Sequence, residues 1–499
     1  MLYPNARGMS LVPPAIGLFT RILRDGGFEV DLLDTTHYHI PGFVDPESER
    51  TRNLFFPDTP ALVRGQGLAS DALVEKVLSF QPNLIAVTVT ESTFMIAVQL
   101  IRHLREQTGS KIPNVFGGVF PTFAPSRALD FPEVDSVCVG EGELVLPALC
   151  KRLEQGHSLE GLPSLWTRSA TGEVQQSVMA PVVNVDAVPI PDFSLFQDER
   201  FHRALGGRMW RMVPVETHRG CPYTCTFCNS PAQTDLFNGA GAGSFFRKKS
   251  AARIREEIRS AIEHVGINYV FFWADTFFAW SLAELEGFCE MYSEFRLPFW
   301  CQTRPETVSA HVEGPRKLRM LREVGLDWIS FGLEHGNERF RREIVNRCYS
   351  NDLVVEALHI PRELGIPFTV NNIIGLPDET RELAFDTIEL NRRINANTLS
   401  CSTFTPYFGT PLRDYAVQKG YMDPAFICPS NAEDSILRMA QFTPEQIRGL
   451  TRTFMMYVRF PKSRWPEIQR AEQCTPEGDA IHEELHREFE ETFFRAADA

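Results

Sequence analysis

Three cysteines stand within eight residues in Thr217-His218-Arg219-Gly220-Cys221-Pro222-Tyr223-Thr224-Cys225-Thr226-Phe227-Cys228, spaced C-x3-C-x2-C. A tight loop lets three such sulfurs turn inward onto one centre, and thiolates are the ligands that iron–sulfur clusters use. A four-iron cube held by only three cysteines keeps one iron open to a small molecule, which suits a cluster that must touch its reactant. The competing reading is a structural zinc site that takes His218 as its fourth ligand. Zinc sites usually show two C-x2-C-like pairs, and no second pair exists here. The chain's 11 cysteines are an odd number, mostly scattered, which does not suit a secreted disulfide framework.

The triplet directly follows an apolar strand expected at 212–217, the first of a series continuing at 268–273, 298–302, 327–333, 366–374 and 399–406. Helix-like segments fill the gaps, for example 251–264, which Ser250 caps, and 315–324. This rhythm predicts a parallel β/α series of about six units, a partial (β/α)6 barrel. Active sites of such barrels lie at the carboxyl ends of the strands, where the triplet falls. Beyond about Asp414 helical periodicity takes over, as at 444–458 and 481–494.

The first 150 residues alternate strand and helix as well. Strands are expected at 28–33, 84–89, 115–118 and 134–139, with a helix at 93–104 and a first strand almost at Met1. The reading is an α/β, doubly wound, Rossmann-like domain. Ligands of open sheets bind outside the strand carboxyl ends. The turns placed there are Thr88-Val89-Thr90-Glu91-Ser92, Phe116-Gly117-Gly118 and Val139-Gly140-Glu141-Gly142-Glu143, where hydroxyls can bond a ligand and glycines let it approach the backbone. The expected division is 1–150 for this domain, 151–207 for a linker, 208–414 for the barrel and 415–499 for a helical region. A polar insertion at 41–67 interrupts the first domain.

Hydrophobic residues at 43% and charged residues at 23% exclude a disordered or fibrous chain. The net charge of −14 argues against nucleic-acid binding, which needs a basic face. No apolar run is long and uninterrupted enough to span a membrane, and no signal peptide is visible, so a cytoplasmic protein is expected. His482-Glu483-Glu484-Leu485-His486 matches H-E-x-x-H, a zinc-protease pattern. Ile481, Leu485 and Phe489 also recur every four residues, so the same segment reads as an amphipathic helix with an acidic outer face.

The C-x3-C-x-aromatic-C loop, with Phe227 as the aromatic, resembles the hallmark of the radical S-adenosylmethionine (SAM) family, and the likeness runs across roughly 212–412. It implies a 4Fe-4S cluster on Cys221, Cys225 and Cys228, with SAM bound by Phe227, Asp275, Glu334 in Gly332-Leu333-Glu334, and Gly375 in Gly375-Leu376-Pro377-Asp378-Glu379-Thr380. Arg304, just past the third barrel strand, is placed to pair with the SAM carboxylate. Tyr407-Phe408-Gly409-Thr410-Pro411-Leu412 resembles the family's Pro-Gly-Thr-Pro-Leu element, with Phe408 in place of proline. The α/β domain ahead of the barrel resembles the cobalamin (B12)-binding domain of the cobalamin-dependent members. That likeness implies cobalamin contacts from Thr88, Thr90, Ser92, Gly117, Gly118, Gly140, Glu141 and Gly142. Phe120 stands where relatives often have histidine, and no D-x-H-x-x-G element supplies a cobalt ligand; His37-Tyr38-His39-Ile40-Pro41-Gly42 only echoes it.

The resemblance implies a radical enzyme that methylates an unactivated carbon of a small-molecule or lipid-like substrate and draws electrons from a low-potential flavodoxin or ferredoxin. No catalytic side chain is singled out. A cyclase or oxidative enzyme with the same cofactors and no net methylation is the alternative. A non-catalytic metal-binding module is the alternative from another class. A methylthiotransferase would show a second cysteine triplet, which is absent.

Overall fold

The computed structural model describes residues 1–6, 11–43, 67–169 and 171–493. Most of the 41–67 insertion therefore lies outside the described residues. The amino-terminal sheet holds β1 (Leu2–Tyr3), β2 (Leu33–Asp34), β3 (Ile85–Thr88), β4 (Asn114–Gly117), β5 (Ser136–Cys138), β6 (Leu165–Arg168) and β7 (Val174–Gln175). Among the described residues its order is β2-β1-β3-β4-β5-β6-β7, with β1 to β5 parallel. Side chains alternate across it. Phe116 and Val137 pack with the helices Ala69–Phe80 and Glu91–Thr108, while Val115 and Cys138 pack with Val145–Glu154. Both faces are covered, as a parallel sheet requires.

Two expectations change. The strand read at 28–33 shrinks to Leu33–Asp34, because its neighbour β1 offers only two residues to pair with. The first part of the stretch read as a linker, 151–207, joins this sheet: it carries the end of helix Val145–Glu154 and the antiparallel strands β6 and β7. These strands are short, lie at the sheet edge and include Arg168 and Gln175, so they give little apolar signal.

A hairpin of β8 (His202–Leu205) and β9 (Arg208–Arg211) leads to β10 (Pro214–Glu216). A two-stranded ribbon, β11 (His218–Arg219) with β12 (Arg247–Lys248), follows. Then come β13 (Val270–Trp273), β14 (Phe299–Thr303), β15 (Leu326–Glu334), β16 (Phe368–Ile374) and β17 (Thr398–Thr403). The strands β10 and β13 to β17 form one parallel sheet in that order, with β10 and β17 unpaired edges among the described residues, hence a partial barrel. Phe272, Phe299, Cys301, Ile329, Phe331, Phe368 and Val370 point outward into the helical layer and are fully buried. The alternate residues Phe271, Trp300, Gln302, Asn371 and Ser400 face the interior and keep partial exposure.

Helix Ala251–Val265 begins as expected at Ser250, whose hydroxyl accepts from the Arg253 N–H. The carboxyl-terminal helices Pro444–Arg459, Trp465–Ala471 and Pro476–Phe493 pack over β16 and β17 through Ile447, Leu450 and Phe454. The two α/β units are also pinned on this side. Buried Glu91 of the first domain accepts from the backbone N–H groups of Phe408 (2.8 Å) and Cys428 (2.7 Å).

Candidate active site

The cysteine loop leaves the barrel just after β10. Gly220 sits at φ +85°, and a Cβ there would lie 2.9 Å from the Phe245 ring and 3.1 Å from the Phe246 backbone, so only glycine makes the turn. Cys228 then caps the helix Asn229–Gly239, its sulfur accepting from the Ser230 N–H at 3.4 Å. The connection at 344–347 grips the loop from outside. Thr226 N donates to Val345 O (3.4 Å), its hydroxyl donates to Ile344 O, and Asn346 Nδ2 donates to Thr224 O (2.8 Å). All three thiols are free of disulfides. Burial pushes Cys221 up to about 11 and Cys228 to about 12, and their mutual repulsion adds to this, which shows that the three sulfurs share one locale. Three cysteines facing one locale on a glycine turn are the donor set that a 4Fe-4S cube takes.

The zinc reading fails here. His218 Nδ1 bonds the Thr217 hydroxyl (3.1 Å), and its ring packs between Phe246 and Trp280. Burial lowers its pKa to about 4. Among the described residues no three His, Cys, Asp or Glu side chains converge on a single metal ion. A cube spreads three sulfurs over three irons and needs no such point convergence.

Three of the residues expected to bind SAM gather around the cysteines. Asp275, just past β13, accepts from the Ser230 hydroxyl (2.7 Å), and its burial raises its carboxyl pKa, as does nearby Glu216. Arg304, past β14, lies over the Tyr223 ring at 3.9 Å, donates to Cys225 Sγ at 3.5 Å and keeps a buried Nε without a partner. Glu334 ends β15 at φ +70°, after a register shift, and burial raises its carboxyl against the pull of Arg347 and Arg304. A Cβ on Gly332 would lie 2.4 Å from Glu334 Oε1, so the Gly-x-Glu spacing clears room for that carboxylate. Phe227 lies beside the Arg347 guanidinium at 5.4 Å. Gly375 serves a turn: at φ +80° its N–H bonds Glu379 Oε2 (2.5 Å), whose other oxygen accepts from His335 Nε2 (3.1 Å).

A cavity of about 320 Å³ lies between the two α/β units. Thr88, Gly117, Gly118, Gly140, Glu141 and Gly142 line it from the first domain, and Glu216, Arg219 and Trp273 from the barrel. Trp273 is 48% exposed there, a large aromatic face offered to a ligand at an otherwise closed interface. That aromatic face and the glycine turns at the strand ends opposite it offer flat surface to one edge of a group such as a corrin, which would extend beyond the 320 Å³ between them. Thr90 and Ser92 do not line this cavity. Thr90 caps the helix Glu91–Thr108 through Thr93, and its hydroxyl bonds Ser92 at 3.1 Å. His37 is buried and does not line the cavity, and Phe120 packs against Phe94 and Phe408.

Glu141 has a second occupation. Its carboxylate accepts from Arg219 Nη1 (2.7 Å), from Arg247 and from Val183 N (3.0 Å), and Glu143 accepts from the same Arg219 nitrogen (2.7 Å). Arg219 also pairs with Glu216, which burial alone would raise but which Arg219 and Lys249 hold down at about 2. The turn thus clasps the first domain to the base of the cysteine loop. Gly118 likewise answers to internal packing. At φ +113° its Cβ would lie 2.2 Å from the Val89 carbonyl oxygen. Gly118→Ala is expected to cost roughly 2 kcal/mol or more, measured as a lowered denaturant midpoint.

The H-E-x-x-H segment falls in the helix Pro476–Phe493. His482 Nε2 donates to Arg452 O (3.3 Å), and burial lowers its pKa to about 4. The unfolded chain therefore binds a proton here between about pH 6.5 and 4 that the folded chain refuses, so stability falls as pH drops through that window. The loss is on the order of 3 kcal/mol. His482→Gln should flatten that part of the stability profile; an unchanged slope would contradict the assignment.

The residues missed in the sequence are Arg219, Arg347, Glu216 and Trp273. Arg219 lies inside the quoted motif and Trp273 at a strand end, so position alone could have flagged them. Arg347 lies in an irregular connection with no pattern.

Comparison with known proteins addresses the family and the fold. Residues 215–390 match the Radical SAM superfamily, and residues 7–150 match the B12 binding domain. The chain is 27% identical over 396 residues to an uncharacterised methyltransferase of Pyrococcus horikoshii, spanning 77% of this chain and 81% of that protein. It is 26% identical over 376 residues to the anaerobic magnesium-protoporphyrin IX monomethyl ester cyclase of Cereibacter sphaeroides, 72% of this chain and 58% of the cyclase. Its fold resembles that of the radical SAM methyltransferase TsrM from Kitasatospora setae, solved with cobalamin and a 4Fe-4S cluster, at a TM-score of 0.62 and 17% identity over 98% of both chains.

Proposed function

The chain belongs to the cobalamin-dependent radical SAM enzymes, and from that premise we propose that it transfers a methyl group to an unactivated carbon of a small-molecule or lipid-like substrate. Membership brings three cofactors: a 4Fe-4S cluster, SAM and cobalamin. When bound, they supply one-electron cleavage of SAM, hydrogen abstraction from the substrate and a transferable methyl group. The observation that carries the methyl-transfer reading is the shared cavity, in which the Trp273 face of the barrel meets the glycine turns of the first domain. The methyltransferase among the relatives supports it further.

The chain's own residues hold and orient. Cys221, Cys225 and Cys228 would hold the cluster by three corners. Glu334 would accept hydroxyl hydrogen bonds from the SAM sugar, Asp275 would accept from its ammonium, and Arg304 would offer its unpartnered Nε to its carboxylate. Gly117, Gly118, Gly140 and Gly142 let a flat ligand lie against the sheet edge. The partly exposed inner face of the barrel sheet, with Phe271, Trp300, Gln302, Asn371 and Ser400, is the surface assigned to a substrate. Among the described residues no helix is long and apolar enough to cross a membrane. Oxygen-labile iron chemistry and free thiols suit the reducing cytoplasm, with a flavodoxin- or ferredoxin-type protein as electron donor.

The test is anaerobic reconstitution with iron, sulfide, hydroxocobalamin, SAM and a low-potential reductant. Release of 5′-deoxyadenosine is expected, and a substrate product heavier by about 14 mass units marks methyl transfer. A product of unchanged carbon count would move the assignment to the cyclase type, which the Cereibacter relative represents.

A further inference from the structure

Resting on the reading of Cys225 as a cluster ligand, we propose that Arg347 is a positioning residue that couples the cluster to the SAM-binding carboxylate. One guanidinium serves both: Arg347 Nε donates to Cys225 Sγ at 3.3 Å, and Nη2 pairs with Glu334 Oε1 at 3.1 Å. Nη1 donates to the Gly332 carbonyl, fixing the fork on the bulge that aims Glu334. The side chain is buried, 6% exposed, and lies beside the Phe227 ring of the cysteine loop. Its backbone continues the 344–347 segment that grips Thr224 and Thr226.

Two comparisons within the molecule separate this from ordinary packing. Arg341 is equally buried, but it spends its donors on the carbonyls of His335 and Tyr349 and on Asn351. Arg347 spends two of its three nitrogens on groups that face cofactors. The contact also singles out one corner of the cluster, since Cys228 accepts from a backbone N–H. Arg304 is the second donor to Cys225, at 3.5 Å, and Glu306 is its own counter-charge.

Reduction adds a negative charge to the cluster. A buried cation that donates an N–H to a ligating sulfur stabilises the reduced state and raises the reduction potential. The same cation opposes the burial that raises the Glu334 carboxyl. Lysine keeps the charge but cannot reproduce a planar fork bonded at three points.

The experiment uses full-length protein reconstituted anaerobically as wild type, Arg347→Lys, Arg347→Gln and Glu334→Gln. Readouts are iron and sulfide content, the cluster midpoint potential by EPR-monitored titration without SAM, and the change in the EPR spectrum as SAM is added. Arg347→Lys should load iron like the wild type and shift the midpoint negative. Glu334→Gln should shift it positive, because it removes an acid from the shared cation. Arg347→Gln should shift it further negative and weaken SAM binding at least tenfold. Where Arg347→Gln loads no iron, the opposite shifts of the other two variants decide the matter. Midpoints of Arg347→Lys and Glu334→Gln equal to wild type would overturn the coupling and leave Arg347 a packing residue. A wild-type chain that loads no four-iron cluster overturns the assignment of Cys225 and the proposal with it.

Discussion

Replacing any one of Cys221, Cys225 or Cys228 with alanine is expected to reduce 5′-deoxyadenosine formation to background while the fold survives. The loop does not depend on those sulfurs for its shape. Gly220 makes its turn, Thr226 and the Thr224 carbonyl are tied to residues 344–346, and Leu412 N donates to Thr226 O at 3.1 Å. Cys228 has a second task as helix cap, so Cys228→Ala should also lower the melting temperature, by the equivalent of about 1 kcal/mol. Iron content should fall with activity in all three variants, and circular dichroism should not change. A variant that keeps full iron and full turnover would mean that its cysteine does not ligate the cluster.

The second large effect concerns the clasp between the domains. In the double variant Glu141→Gln/Glu143→Gln, Arg219 keeps Glu216 but loses both counter-charges on the first domain. Each glutamine still offers an amide oxygen, so the cost stays below the roughly 3–5 kcal/mol of an uncompensated buried charge. That cost falls on the closed arrangement of the two units, while the cysteine loop keeps its grip from residues 344–347. The variant should therefore retain iron and SAM cleavage but lose corrin retention and product formation. Equal loss of both activities would show that the clasp holds the cluster loop itself; no loss of either would show that Glu91 and Arg413 suffice to join the domains.

The sequence displayed the barrel well, because the outer-facing residues of β13 to β17 are mostly apolar and recur with the alternation of a strand; all six expected barrel strands lie within a few residues of their observed positions. It displayed the amino-terminal sheet less fully. Arg168 and Gln175 sit on short edge strands whose pairing is set by β5, beyond the reach of local pattern. The candidate site divides in the same way. Cysteines, Glu334 and the glycine turns carry chemistry in their type and spacing. Arg347 and Arg219 owe their roles to partners 122 and 78 residues away, Cys225 and Glu141, which no local window contains. Thr90 and Ser92 sit in a turn that also starts a helix, a capping role that residue type and spacing alone do not separate from ligand contact.

The most direct measurement is anaerobic gel filtration of the reconstituted chain with metal analysis and a corrin spectrum on the protein peak. The account predicts about four irons and one corrin per chain eluting together. Corrin that elutes free while the iron stays bound would contradict the claim that the chain holds both cofactors.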